Sequence, residues 1–206
     1  MLGNRAFLWG NVLLVALLIG SGLQPFSRGT WWLEIFPILV VLPVLWYTRE
    51  HYRLSTLLYG LIFLHALILM VGGHYTYARV PLGFWIRDTF ALMRNPYDKI
   101  GHFAQGLVPA IAAREILIRG QYVKGRGMLA FIVVCIALAI SAAYELIEWG
   151  AAVALGQGAD EFLATQGDPF DTQSDMLMAL IGAICALLAL THLHDKLIRH
   201  IPPNRL

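Results

Sequence analysis

Met128–Leu155 reads MLAFIVVCIALAISAAYELIEWGAAVAL. A helix needs about 20 predominantly apolar residues to cross a bilayer core, and this run exceeds that. Its only charges are Glu145 and Glu148, three positions apart and therefore on one helical face. A charged side chain at bilayer depth costs roughly 2.5–3.5 kcal/mol on insertion scales, so the pair marks a functional position.

The rest of the chain agrees with a membrane protein. Of 206 residues, 58% are hydrophobic and only 14% charged, against about 25% charged in a soluble domain. A net charge of +2 without a basic stripe excludes nucleic acid as a partner, leaving membrane lipid as the expected one. Cys135 and Cys185 lie inside apolar runs and read as free buried thiols.

Five further runs approach spanning length: Ala6–Leu23, Trp31–Tyr47, Leu54–Val71, Ile100–Ile118 and Met176–Leu193. The first is preceded only by Arg5 and followed by Leu23-Gln24-Pro25, which is no cleavage site, so it reads as a helix. Pro37 and Pro43 predict a kink in the second. The connection His74–Tyr97, rich in Tyr and Trp, reads as interfacial, with a short amphipathic helix over Phe84–Met93. The expectation is an all-α fold: one domain, residues 1–206, forming a polytopic bundle of six transmembrane helices with no internal repeat.

With six crossings the termini share a side. That side carries ten Lys and Arg residues (Arg5, Arg49, Arg53, Arg114, Arg119, Lys124, Arg126, Lys196, Arg199, Arg205), the other five. The positive-inside rule then makes both termini cytoplasmic and the protein a multi-pass inner (plasma) membrane protein. From Met128, Glu145 lies about 25 Å outward at 1.5 Å per residue. Asp98 and His102 open the fourth run, four apart; Asp171 and Asp175 precede the sixth, also four apart. Three helices thus bring acidic or imidazole groups to one depth on the outward side.

The sequences Asp98-Lys99-Ile100-Gly101-His102-Phe103, Glu145-Leu146-Ile147-Glu148-Trp149, Thr165 to Met176 and His74-Tyr75-Thr76-Tyr77 closely resemble the YjdF-type family of bacterial inner membrane proteins. The match covers essentially the whole chain and implies an inner membrane location and topology, but no reaction. A weaker resemblance to VanZ-like membrane proteins rests on the Asp-Lys-x-x-His-Phe start, with Gln173-Ser174-Asp175 and Gly182 on the late helix and no Asn-Gly pairing. Envelope associations carried from it are analogy.

His102, Glu145, Glu148, Asp171 and Asp175 are a ligand set that could hold a divalent metal: imidazole suits Zn²⁺, and a carboxylate-rich set also admits Mg²⁺ or Mn²⁺. Without a metal, Glu145 and Glu148 can share a proton and work as general acid and base with His102 as partner. The structural alternative pairs Glu145 or Glu148 with Lys99 or Arg87 and fixes helix packing only. Asp171 doubles as a helix cap, Asp168-Pro169 as a turn, and Lys99 pairs within the cluster. Asp98, Lys99, Asp168 and His74 complete the candidates. His65 reads as a packed histidine, Asp160 and Glu161 as solvated loop charges, and His192, His194 and His200 as an interfacial helix end on the opposite side. Gly182, Ala186, Ala179 and Ala183 suit close helix contact.

Three function classes follow. The first is an enzyme or binding protein for a lipid headgroup or envelope precursor, the second an assembly protein with a structural polar cluster, and the third a small proton-coupled transporter. The apolar inner half Met128–Ile140 counts against the transporter.

Overall fold

In the computed structural model, which describes residues 4–155 and 166–201, every regular element is helical and no strand occurs among the described residues. The helices are α1 (Asn4–Ser21), α2 (Arg28–Thr48), α3 (Thr56–Tyr75), α4 (Pro81–Thr89), α5 (Tyr97–Arg119), α6 (Arg126–Leu155) and α7 (Asp171–Ile198). A 3₁₀ turn, Tyr77–Arg79, joins α3 to α4, and a π turn over Ala186–Leu190 interrupts α7. Asp160 and Glu161 lie outside the described residues.

Each predicted apolar run is a helix, and the starts have local causes. Ser27 and Ser55 cap α2 and α3 by accepting from the backbone N–H groups of Thr30 and Leu58. Pro81 stands at the first turn of α4, where its missing N–H costs nothing, so the amphipathic helix starts earlier than Phe84. The Asn95 side chain accepts from the Tyr97 N–H at 3.0 Å and donates to the carbonyls of Ala78 and Val80, tying the start of α5 to the turn before α4.

Four helices, α2, α3, α6 and α7, are long and apolar enough to cross a membrane; α1 contributes a shorter apolar segment, Arg5–Ser21. The six-span expectation therefore meets four clear spans. α5 has the length, but Asp98, Lys99, Arg114, Glu115 and Arg119 make it polar. Burial explains how it holds them: Asp98, His102, Gln105, Arg114 and Glu115 all turn inward, away from the outer surface of the bundle.

α5 sits at the centre. Val108, Ala110, Ile111 and Ala113 pack with Leu58 of α3, Val133 and Ala137 of α6, and Ala183 and Ala186 of α7. A second apolar cluster joins Leu14 of α1, Trp31, Ile35 and Ile38 of α2, and Ala66, Leu69 and Met70 of α3. The closest approach is between α5 and α7. A Cβ on Gly106 would lie 1.8 Å from the Ala179 carbonyl oxygen, and one on Gly182 would lie 2.1 Å from that of Phe103. The small residues expected for helix contact are thus where two backbones touch. Both cysteines are unpaired as expected, although Cys135 is exposed rather than buried.

Candidate functional site

Two-backbone contact at Gly106 and Gly182 fixes what lies toward the N-terminal ends of α5 and α7. There the first turns of α5 and α7 face each other and set Asp98, Lys99 and His102 against Asp171 and Asp175. Lys99 Nζ donates to Asp171 Oδ1 at 2.8 Å and to Asp175 Oδ1, and lies 3.3 Å from Asp98 Oδ2. Arg94 reaches the same Asp171 Oδ1 at 2.8 Å and Asp168 Oδ2 at 2.6 Å. Lys99 does pair within the cluster. Asp171 is no helix cap: the N-cap position is Phe170, without a side-chain bond, because both cations claim the Asp171 carboxylate. Asp168 serves twice, accepting from the Phe170 N–H at 2.9 Å as a turn residue and from Arg94 as an ion partner.

His102 stands between the two acidic groups. Its Nε2 lies 3.4 Å from Asp98 Oδ1 and 3.8 Å from Asp175 Oδ1; its Nδ1 bonds Gln105 Oε1 at 3.0 Å and lies 3.6 Å from Glu145 Oε1. Asp98, His102 and Asp175 offer ligand atoms all within 4.8 Å of one another. Asp98, Asp168, Asp171, Asp175 and Glu145 make five carboxylates against two permanent cations, Lys99 and Arg94. The cluster thus holds more carboxyl groups than permanent cations, a difference that protons, a charged His102 ring or a bound cation can balance. Glu145 and Glu148 do not pair with Lys99 or Arg87 as the structural alternative required. Lys99 is taken by the aspartates, and Arg87 meets Asp88 at 2.7 Å.

Glu148 and Glu145 diverge. Glu145 turns to His102, whereas Glu148 lines a cavity of about 710 Å³ enclosed mainly by α2, α3 and α5. One end of this cavity is polar, formed by Glu34, Tyr77, Asp98, His102, Tyr144 and Glu148; the far end reaches Thr48 and Tyr52. Leu45, Leu58, Ile62, Leu69, Val108 and Ala112 supply apolar wall between them, with His65 and Gln105 as polar points. The packed-histidine reading of His65 is refined accordingly, since its ring borders space as well as neighbours.

Glu34 is the functional residue that sequence reading missed. It is buried on α2, accepts from the Tyr144 hydroxyl at 3.3 Å, and is also hydrogen-bonded by Tyr77. The signal was available: Glu34 is a lone carboxylate inside the run Trp31–Tyr47, the same criterion that singled out Glu145. Two glycines hold Tyr77 in place. A Cβ on Gly72 would come within 2.5 Å of its ring and one on Gly101 within 2.8 Å, so the ring occupies a slot between α3 and α5. The slot holds the preceding Thr76 at a φ of 66°, which a β-branched residue rarely adopts. Burial, and next the Glu34 carboxylate, push the Tyr77 hydroxyl well above its usual range, so it stays a proton donor.

His74 is not at the site. Its Nδ1 lies 2.9 Å from the Ser21 carbonyl oxygen, tying α3 to the end of α1. At the opposite end of α5 is a second buried network. His194 Nε2 lies 3.0 Å from Glu115 Oε2, Arg119 and the Ser55 N–H share Glu115 Oε1, and Arg114 contacts both His194 Nδ1 and Asp195. Arg114 can only donate, so His194 Nδ1 accepts and its proton sits on Nε2, facing Glu115. His194 is thus a fully buried latch rather than an interfacial helix end; the π turn in α7 re-phases the helix ahead of it.

Residues 6–196 match a family described as "Predicted membrane protein (DUF2238)". The chain is 58% identical over 186 residues, 90% of its length and 89% of the relative's, to the inner membrane protein YjdF of Escherichia coli (strain K12). No solved structure matches it.

Proposed function

Since this chain belongs to the DUF2238 family of membrane proteins, we propose that it is a six-span inner membrane protein that takes the head of a membrane amphiphile into its acid–His site. The amphiphile is a lipid or a lipid-linked envelope precursor. Both termini are cytoplasmic, and the site faces outward.

One observation carries this reading: the shape and chemistry of the 710 Å³ cavity. Its volume falls in the range of about 300–1,000 Å³ in which ligand sites occur. Its apolar length suits a chain, and its polar end gathers titratable groups that could act on a head. A polar head brought there meets the Glu34, Glu148 and Asp98 carboxyl groups, the Tyr77 and Tyr144 hydroxyls and the His102 ring. These are the parts of general acid–base chemistry on a headgroup. The transporter reading is weaker because the wall between the polar end and Tyr52 is mostly aliphatic, with His65 and Gln105 as its polar points.

The test is photo-labelling. Protein in bilayers containing a phospholipid with a photoactivatable acyl chain is irradiated, and the labelled peptides are mapped. Labels concentrated on α2 and α3 residues that face the cavity, and lost in Ala112→Phe, are the expected result. Labels spread evenly over the outer lipid-facing surface, unchanged in that variant, contradict the reading.

A further inference from the structure

We propose that Asp98, His102 and Asp175 hold one divalent metal ion, of the Zn²⁺ or Mn²⁺ class rather than Mg²⁺ or Ca²⁺. The proposal rests on the cavity reading for what the ion does, and not for whether it binds.

The geometry of the imidazole carries the argument. Gln105 Oε1 can only accept, so His102 Nδ1 carries the proton that it receives at 3.0 Å. A ring that is neutral then presents the Nε2 lone pair to Asp98 Oδ1, 3.4 Å away, and Asp175 Oδ1, 3.8 Å away. Groups so placed repel unless a second ring proton or a metal cation lies between them, and the proposal assigns that place to the metal. Ligands about 2.0–2.2 Å from a tetrahedral ion stand roughly 3.3–3.6 Å apart. The two distances from Nε2 match that spacing to within a few tenths of an ångström, and the carboxylate oxygens lie within 4.8 Å of each other.

Glu145 supplies an independent sign. It is 8% exposed, and its Oε1 has no hydrogen-bond partner, yet that atom lies 3.6 Å from His102 Nδ1. A buried carboxylate oxygen left unpaired is costly. Beside a metal-bound imidazole it stands in the usual outer position, on the side of the non-ligating N–H, where Gln105 accepts the proton and Glu145 adds its charge. Lys99 already bonds Asp175 Oδ1 and approaches Asp98 from its other oxygen, Oδ2, so it trims the charge of the site without filling the gap at Nε2. One imidazole among two carboxylates argues for a metal that accepts nitrogen. In the cavity, such an ion would let a phosphate-bearing head approach a wall that has three carboxylates and no Lys or Arg.

The experiment uses full-length, tag-free protein in detergent, stripped by chelation and dialysed against Zn²⁺, Mn²⁺ or Mg²⁺ in turn. One equivalent of Zn²⁺ or Mn²⁺ per chain is expected, with affinity falling at least tenfold in His102→Gln and Asp98→Asn and about tenfold in Gln105→Ala. Asp195→Asn, at the far end of the bundle, should bind as the wild type does. Nitrogen NMR of wild-type protein with labelled histidine needs no variant: on metal addition, the His102 Nε2 signal should move while Nδ1 keeps its proton. Failure to bind any of the three ions, or a His102 ring protonated on both nitrogens and unmoved by metal, overturns the proposal and leaves an Asp–imidazolium–Asp ion triad. Loss of metal with lipid labelling intact would sink the ion alone; metal without cavity labelling would sink the lipid reading alone.

Discussion

Gly106→Ala should damage the site from a distance, without touching any of its polar residues. The new Cβ would start 1.8 Å from the Ala179 carbonyl oxygen, and real contacts of this kind stay beyond 3.0 Å. The obstacle is the backbone of a packed helix, so α5 and α7 must part by more than an ångström. Lys99 and Asp171, now 2.8 Å apart, then leave hydrogen-bond range, and Asp175 moves away from its present 3.8 Å to His102. Overpacking costs about 1–3 kcal/mol, and loosening a buried ion cluster adds to it. Gly60→Ala is the matched control: Gly60 lies in α3 with nothing within 4 Å of its Cβ position, and helix propensity there favours alanine by about 0.5–1 kcal/mol. Thermal unfolding in detergent should show Gly106→Ala well below the wild type and Gly60→Ala at or above it, with metal binding lost only in the former. Equal melting temperatures for the two variants would refute the claim that α5–α7 backbone contact assembles the site.

Gly72→Ala and Gly101→Ala should each evict the Tyr77 ring from its slot, costing about 1–3 kcal/mol and exposing Tyr77 to modification by a water-soluble tyrosine reagent. Glu115→Leu removes the acceptor that His194, Ser55 and Arg119 share and should cost about 3–5 kcal/mol, read as a large fall in melting temperature; Asp195→Asn should cost far less. Lys99→Met leaves Asp98, Asp171 and Asp175 less compensated; it should destabilise the apo protein, and added Zn²⁺ should recover more melting temperature than in the wild type. Reporters fused to the C-terminus should read cytoplasmic, and a periplasmic signal would reverse the orientation assigned to the site.

The fold was legible because apolar runs and their caps are local: Ser27, Ser55 and Pro81 start helices wherever the bundle places them. The acid–His cluster was legible for a related reason. Pairs four apart, such as Asp98 with His102 and Asp171 with Asp175, share a face on any helix, and the facing starts of α5 and α7 bring them together. Partner choice was less accessible. Whether Lys99 meets Glu145 or Asp171 depends on the rotation of α5 against α7, which Gly106 and Gly182 set through backbone contact. Hydropathy alone scores α5 low, because it counts charges that neighbouring helices bury. The Glu115–His194 latch became visible only when side chains 79 residues apart were brought together, as did the partner of Glu34, Tyr144, 110 residues away. Membership of the family describes the membrane setting and leaves the chemistry to the site itself.

The most direct measurement of the central claim is the intact mass of wild-type protein released gently from membranes and sprayed without denaturation. One bound lipid per chain, retained at energies that strip the detergent and missing from Ala112→Phe, is the predicted result. A bare wild-type chain under conditions that keep the fold would show that the cavity holds no amphiphile.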